Sequence, residues 1–293
     1  MTGIAIPRVA KSLAKRAWPI ISRLAGNSPF CPWSSCFSLL NPSVRWSRPP
    51  MQITKITQDK DMVLLSFDNR HFWFPRDTFP NKELWNEYLV VFWNSPSNFH
   101  YYLKSFSRLN QGDVVIDCGA CEGFFVAKAL EEGAGKVFAI EPNPLMVRCL
   151  ERTFEKEIQG NRVVIAPFAL GSTERDIYFN FDDGNPFSGK VSNSGLPIKQ
   201  ITLDKLFITL CLQKIDFIKM DLEGLETEAL LGGCHLISRF FPKLSISTYH
   251  GAEDYYRTFK IIKGFGYKKI QPSGITQRDD SQAYRPYLIH ASR

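Results

Sequence analysis

Between residues 51 and 75 the chain reads as three short strands, "MQITKIT", "MVLLSFD" and "HFWFP", divided by turn residues. "NKELWNEYLVVFW" then carries apolar positions at helical spacing, and "SNFHYYLKSFSRL" reads as a second helix or as its continuation. Beyond residue 110, strands and helices alternate. Apolar runs such as "VVIDC", "KVFAIE" and "IDFIKMD" lack in–out alternation, as strands buried on both faces do. The pattern predicts strands at 113–118, 136–141, 162–167, 215–221, 244–249, 267–271 and 285–290. It predicts helices at 123–132, 144–156, 202–211, 225–236 and 254–264. Alternation of this length builds an α/β fold with a doubly wound, mostly parallel seven-stranded sheet. The last two strands have no helix-length segment between them and predict a C-terminal antiparallel hairpin. "DDGNPFSGKVSNSGLP", residues 182–197, reads as a long Gly/Ser/Asn loop over the carboxyl edge of the sheet, able to close on a ligand. No internal repeat is present.

Charge divides the chain. Residues 1–58 carry eight Lys/Arg and no Asp or Glu, which leaves 28 basic against 29 acidic side chains in the rest. The sequence pI near 9.0 therefore belongs to the N-terminal arm, and the body is neutral. Nucleic acid is disfavoured as a partner, because a groove tracking phosphates needs a basic body. In "RVAKSLAKRAWPIISRLAG", Val9, Leu13, Ala17, Ile20 and Leu24 fall at helical spacing among basic residues, and Pro19 interrupts the pattern. Residues 8–25 thus suit peripheral contact with an anionic membrane or an organelle-targeting role, or form a disordered leader. "CPWSSCFSLLNPSVRWSRPP" reads as a linker. The division expected is an arm at 1–50, an extension at 51–108 and a ligand-binding domain at 109–293. Seven cysteines at uneven spacings offer no zinc pattern, and Cys118 and Cys121 lack thioredoxin-like flanks. A reducing, cytoplasmic setting follows.

In a doubly wound sheet the ligand lies beyond the carboxyl ends of the strands, at the first βα turn. That turn is Asp117-Cys-Gly-Ala-Cys-Glu-Gly123. A nicotinamide fold wants G-x-G-x-x-G, and only Gly119 and Gly123 are present; a P-loop wants Lys-Ser/Thr where Phe124-Phe125 stands. An acid ahead of the glycines suits the cationic end of S-adenosylmethionine better than a pyrophosphate. Glu141 ends the next strand, followed by Pro142-Asn143-Pro144, and a carboxylate there can accept both ribose hydroxyls.

These stretches resemble S-adenosylmethionine-dependent methyltransferases of the FkbM type. The resemblance rests on "VVIDCGACEGFF", "GAGKVFAIEPNP", "ALGS", "ITLDKL", "IDFIKMDLEGLETEALLGG" and "LSISTYHGAED", over about residues 110–270. It implies a Rossmann-like methyltransferase domain and a cofactor site formed by Asp117, Gly119, Ala120, Cys121, Gly123, Glu141, Pro142, Asn143, Ala169 and Asp221. One position departs: similar proteins usually carry asparagine where this chain has Cys121.

Methyl transfer needs an aligned acceptor and a home for its proton, not an enzyme nucleophile. Asp221 and His250 end the fourth and fifth strands, facing the first turn, and with Glu223 are the catalytic candidates; His250 is the expected base for the acceptor proton, with Asp221 or Glu223 next in line. The Asp/Asn-Pro-Pro-aromatic patch of amine methylation is replaced by Asp221-Leu-Glu-Gly224, and no Pro-Cys nucleophile exists. O-methylation of a sugar, glycan or secondary-metabolite hydroxyl is the remaining fit, and the resemblance implies the same. Alternatives are RNA methylation and a non-catalytic, membrane-associated binding module. No metal is expected, although Asp221, Glu223 and His250 are types that hold one. Glu226 and Glu228 read as charges offsetting a helix dipole, and His71, His100, His235 and His290 as structural. Acceptor specificity is expected in 182–197 and in the aromatic segment 92–106.

Overall fold

The computed structural model describes residues 8–28, 30–40, 49–95, 98–104, 107–182, 185–251, 253–276 and 284–293. Two helices come first, α1 (Arg8–Leu24) and α2 (Trp33–Ser38). Strands β1 (Ile53–Gln58), β2 (Met62–Phe67) and β3 (Arg70–Pro75) form an antiparallel sheet, and α3 (Lys82–Phe92) follows. Asn81 caps α3 by accepting the Leu84 N–H at 2.8 Å.

The alternating region opens with β4 (Val114–Cys118), α4 (Phe124–Glu131), β5 (Lys136–Ile140), α5 (Pro144–Thr153), α6 (Glu155–Gln159) and β6 (Val163–Ala166). A second small sheet interrupts it: β7 (Ala169–Leu170), β8 (Arg175–Asp182), β9 (Asn185–Ser192) and β10 (Leu196–Ile201), before α7 (Leu203–Thr209). The main sheet resumes with β11 (Phe217–Met220), α8 (Glu226–Leu231), α9 (Cys234–Phe240), β12 (Lys243–Ser247), α10 (Asp254–Gly264), β13 (Lys269–Ser273) and β14 (Leu288–Ser292). Its order is β13-β14-β12-β11-β4-β5-β6, parallel except around β14, which pairs antiparallel with both neighbours. The expected seven-stranded α/β sheet and its terminal hairpin are therefore present. The winding reverses between β4 and β11, which makes their carboxyl ends the crevice of the sheet.

The extension clamps the start of α4. Phe124, its first residue, lies against Phe67 at 5.1 Å and Phe72 at 4.8 Å between ring centroids, both edge-on. One buried cluster runs from Val63, Leu65 and Tyr88 to Val115, Val126 and Leu150. The first βα turn is thereby held from both sides.

Several elements differ from the sequence expectation. Residues 98–104 are not helical. The Asn98 amide donates to the carbonyls of Leu89, Val90 and Trp93, closing the end of α3. Tyr101, Tyr102 and Leu103 are then buried in succession, which one helix face cannot do. The predicted loop 182–197 contains β9 and the start of β10, with β9 paired antiparallel to β8. A ladder is made of backbone bonds, so a polar, glycine-bearing stretch can hold an edge position, and β9 is at the edge. Finally, α1 continues through Pro19, and Pro19 is buried. The residues expected as linker include α2, although 41–48 lie outside the described residues. Among the described residues no helix is long and apolar enough to cross a membrane.

Candidate active site

Strand register lines up the chemistry. Met220 pairs with Cys118, and Cys118 with Ile140, so three neighbouring strands end in one row. The next residues, Asp221, Gly119 and Glu141, therefore stand side by side at the carboxyl edge. A cleft of about 660 Å³ opens there, within the size range of small-molecule sites. Its lining includes Gly119, Ala120, Cys121, Glu141, Pro142, Asn143, Ala169, Asp221 and Glu223. One wall comes from Asn81, Leu84 and Val91 on and beside α3, and another from Phe168 and Phe179.

The glycine turn is forced by its surroundings. Gly119 has φ +83°, and a Cβ there would meet the Asp221 carbonyl oxygen at 2.1 Å. Gly123 has φ +80°, and a Cβ would press on Phe154 at 2.6 Å. Cys121 also adopts a left-handed φ, +44°, which a non-glycine residue rarely does. Its N–H donates to Glu141 Oε2 at 2.9 Å, while the Asn143 N–H donates to Oε1 at 2.9 Å. Glu141 thus ties the first turn to the second, where Asn143 caps α5 by accepting the Leu145 N–H. Burial pushes the Glu141 carboxyl up to about 7, against the pull of the two N–H donors. Each carboxylate oxygen keeps acceptor capacity toward the cleft.

Asp117, expected at the cofactor, stands off the cleft. It is fully buried, and its Oδ1 lies 3.0 Å from the Lys219 ammonium. Lys219 is its register partner on β11 and also donates to the Gly119 carbonyl at 2.7 Å. Burial works against the Lys219 charge, but the Asp117 and Asp221 carboxylates outweigh it and raise its pKa. Asp117 therefore shapes the turn through Lys219. The sequence signal for Lys219 was available: a lysine inside an apolar strand needs a partner.

Asp221 is the hub of the reactive edge. Tyr102 donates its hydroxyl to Oδ2 at 2.7 Å, and the Tyr249 hydroxyl lies 3.2 Å from Oδ1. His100 Nε2 is 3.8 Å and His250 Nε2 3.5 Å from its oxygens. Burial favours protonation of Asp221, yet the charges of His100, Lys219 and His250 and the Tyr102 bond hold its pKa below the usual carboxylate value. The hydroxyls of Tyr102 and Tyr249 and the ring of His100 went unrecognised in sequence because nothing local marks them. They gather only when the non-helical segment 98–104 crosses the end of β12.

His250 lies behind Asp221 and does not line the cleft. Its Nδ1 is 3.0 Å from Glu226 Oε1, and its Nε2 is 3.7 Å from Glu223 Oε2. Burial opposes its charge, but the Glu226 bond and the Asp221, Glu226 and Glu223 charges raise its pKa. Glu226 is buried, holds His250 and accepts the Leu222 N–H at 2.8 Å, so it does more than offset a helix dipole. Asp221, Glu226 and His250 present potential ligand atoms within 4.8 Å of one another, as do Asp204, Cys234 and His235. In the second group Asp204 is engaged by the N–H groups of His235 and Leu236.

A family model described as the methyltransferase FkbM domain matches residues 117–269. No curated protein matches the chain by sequence. Among solved structures, a methyltransferase FkbM from Methylobacillus flagellatus is 22% identical, with a TM-score of 0.47, over 67% of this chain and 50% of that one. The chain thus spans half the length of that relative. A SAM-dependent O-methyltransferase from Thermotoga maritima is 17% identical, with a TM-score of 0.37, over 63% of this chain and 60% of that one. Trm5b from Pyrococcus abyssi is 17% identical, with a TM-score of 0.41, over 80% and 56%.

Proposed function

The chain belongs to the FkbM methyltransferase family, whose cofactor is S-adenosylmethionine, and on that premise we propose that it methylates a hydroxyl of a sugar, glycan or related small molecule. The observation that carries this reading is Asp221, a carboxylate of depressed pKa held by two tyrosine hydroxyls beside the glycine turn. S-adenosylmethionine supplies an activated methyl group, so the protein needs no nucleophile. The left-handed turn at Gly119 lets backbone approach a ligand closely, and Glu141 has acceptor capacity for ribose hydroxyls. Pro142, Asn143 and Ala169 complete that end of the cleft.

Asp221 takes the acceptor proton in this reading. A hydroxyl proton becomes strongly acidic as its oxygen is alkylated, so a weakly basic carboxylate suffices if it is positioned. His250 fixes Asp221 from behind and Glu223 borders the cleft; neither is asked to take the proton. His250 is off the cleft, with Asp221 3.5 Å from its Nε2, so the acceptor meets the carboxylate and not the imidazole. The aromatic rings of Phe168 and Tyr249 suit the apolar face of a sugar ring. Incubation with methyl-labelled cofactor and separate glycan, lipid and RNA fractions tests the acceptor class. Label in base-stable ethers of the glycan or lipid-linked sugar fraction is expected, and label confined to RNA overturns the reading.

A further inference from the structure

We propose that the face formed by α1 and α2 docks the protein onto an anionic bilayer surface. The inference rests on surface chemistry away from the cleft and is independent of the reaction assigned above.

On α1, Trp18, Ile21 and Leu24 follow one another at intervals of three and are exposed, Ile21 by 47% and Leu24 by 72%. Pro19 and Ser22, on the other side of the helix, are buried. Trp33, Phe37 and Leu40 of α2 and its end extend the exposed apolar face, with Phe37 exposed by 54%. Isolated apolar residues on a surface need no explanation; six grouped on two adjoining helices do.

The face is held to the body, so its orientation is fixed. Cys31 and Cys36 are buried in a satellite cluster with Phe99 and Ile275, against which Ile20, Leu39, Tyr284 and Tyr287 pack. Ser28 Oγ accepts the Tyr284 N–H at 2.7 Å and lies 2.7 Å from Ser22 Oγ. Phe30 packs on Tyr255 of α10 at 5.1 Å between ring centroids.

Charge selects the occupant. The first 58 residues contain eight Lys/Arg and no acid, five of the basic residues lying in α1 itself. Arg23, partly buried, lies over the Trp33 ring at 4.3 Å and brings a positive charge to the base of this face. A second copy of the chain would bring the same positive charge and be repelled. RNA would use the cations but leave Ile21, Leu24 and Leu40 without partners. An anionic bilayer satisfies both the charge and the apolar side chains. Tyr287, in the cluster under the arm, stacks on His100 at 5.1 Å and meets Tyr249 at 5.3 Å. Docking would hold the reactive edge close to the membrane surface and so favour an acceptor carried there.

Co-sedimentation of the full chain with phosphatidylcholine vesicles, with and without phosphatidylglycerol, tests this. Retention is expected on the anionic vesicles only and should fall with added salt. Tryptophan fluorescence of the wild type should be quenched by brominated acyl chains. The double variant Ile21→Asp/Leu24→Asp should bind anionic vesicles at least about tenfold more weakly, with unchanged affinity for S-adenosylhomocysteine. Failure of the wild type to bind, equal retention of the variant, or displacement from vesicles by an equimolar RNA oligonucleotide overturns the proposal. So does a concentration-dependent dimer that the double variant abolishes.

Discussion

Gly119 and Cys121 share one turn and a left-handed backbone, with φ +83° and +44°, but they differ in what the turn asks of them. Gly119 has no room for a side chain, since a Cβ would fall 2.1 Å from the Asp221 oxygen. Gly119→Ala should therefore cost about 2–4 kcal/mol, from backbone strain plus overpacking, read as a shift in the urea midpoint. Cys121 borders the cleft, and asparagine tolerates its backbone angle better. Cys121→Asn should raise stability by about 0.5–1 kcal/mol in the same measurement; a loss would mean that the thiol packs better than the strain argument allows. The glycines were legible in sequence because a turn at a strand end leaves few alternatives. Tyr102, Tyr249 and His100 were not, since each acts through Asp221, distant along the chain. Asp117 was legible as important but misplaced: an acid at the end of an apolar strand looks alike whether it meets a ligand or Lys219.

The strands of the main sheet were readable because both faces are covered, and continuous apolar runs have few other uses. Helix ends were less so. The single helix expected over 225–236 is divided into α8 and α9, with Gly232 and Gly233 between them. The edge strand β9 escaped notice because its pairing is backbone chemistry, which side-chain periodicity does not report. The linkage between β4 and β5 carries its own test. Glu141 gathers N–H bonds from both following turns, and burial sets its carboxyl at about 7. Its ionised form is the one that accepts ribose hydroxyls. Affinity for S-adenosylhomocysteine should then rise as pH climbs through about 7 and fall on the acid side. Calorimetric titration across that range should show the slope in wild type and a weaker, flat response in Glu141→Gln. A flat wild-type response would remove Glu141 from the cofactor site.

At the scale of the whole molecule, charge asymmetry was visible in the sequence, but the anchoring of the arm was not. Cys31 and Cys36 pack on Phe99 and Ile275, which no local pattern connects to them. Stability against acid is also set by long-range packing. His290 on β14 is buried, with Nδ1 3.2 Å from both Ser107 Oγ and Ser245 Oγ, and burial, with Lys104 nearby, pushes its pKa down to about 3. Between that value and about 6.5 the unfolded chain binds a proton that the folded chain does not, so stability rises with pH there. This one group should destabilise the fold by up to about 1.4 kcal/mol per pH unit as pH falls below about 6.5. Urea midpoints against pH should show that limb in wild type and a shallower one in His290→Asn.

Asp221, held by Tyr102 and Tyr249 at the cleft, is proposed to take the proton of a hydroxyl being methylated. Single-turnover transfer from methyl-labelled S-adenosylmethionine to the hydroxyl acceptor, compared between wild type and Asp221→Asn, tests it most directly. A rate lower by about 10²–10⁴-fold is expected in the variant, with S-adenosylhomocysteine affinity within a few-fold of wild type. Equal rates in the two proteins, with the cofactor bound in both, would contradict it.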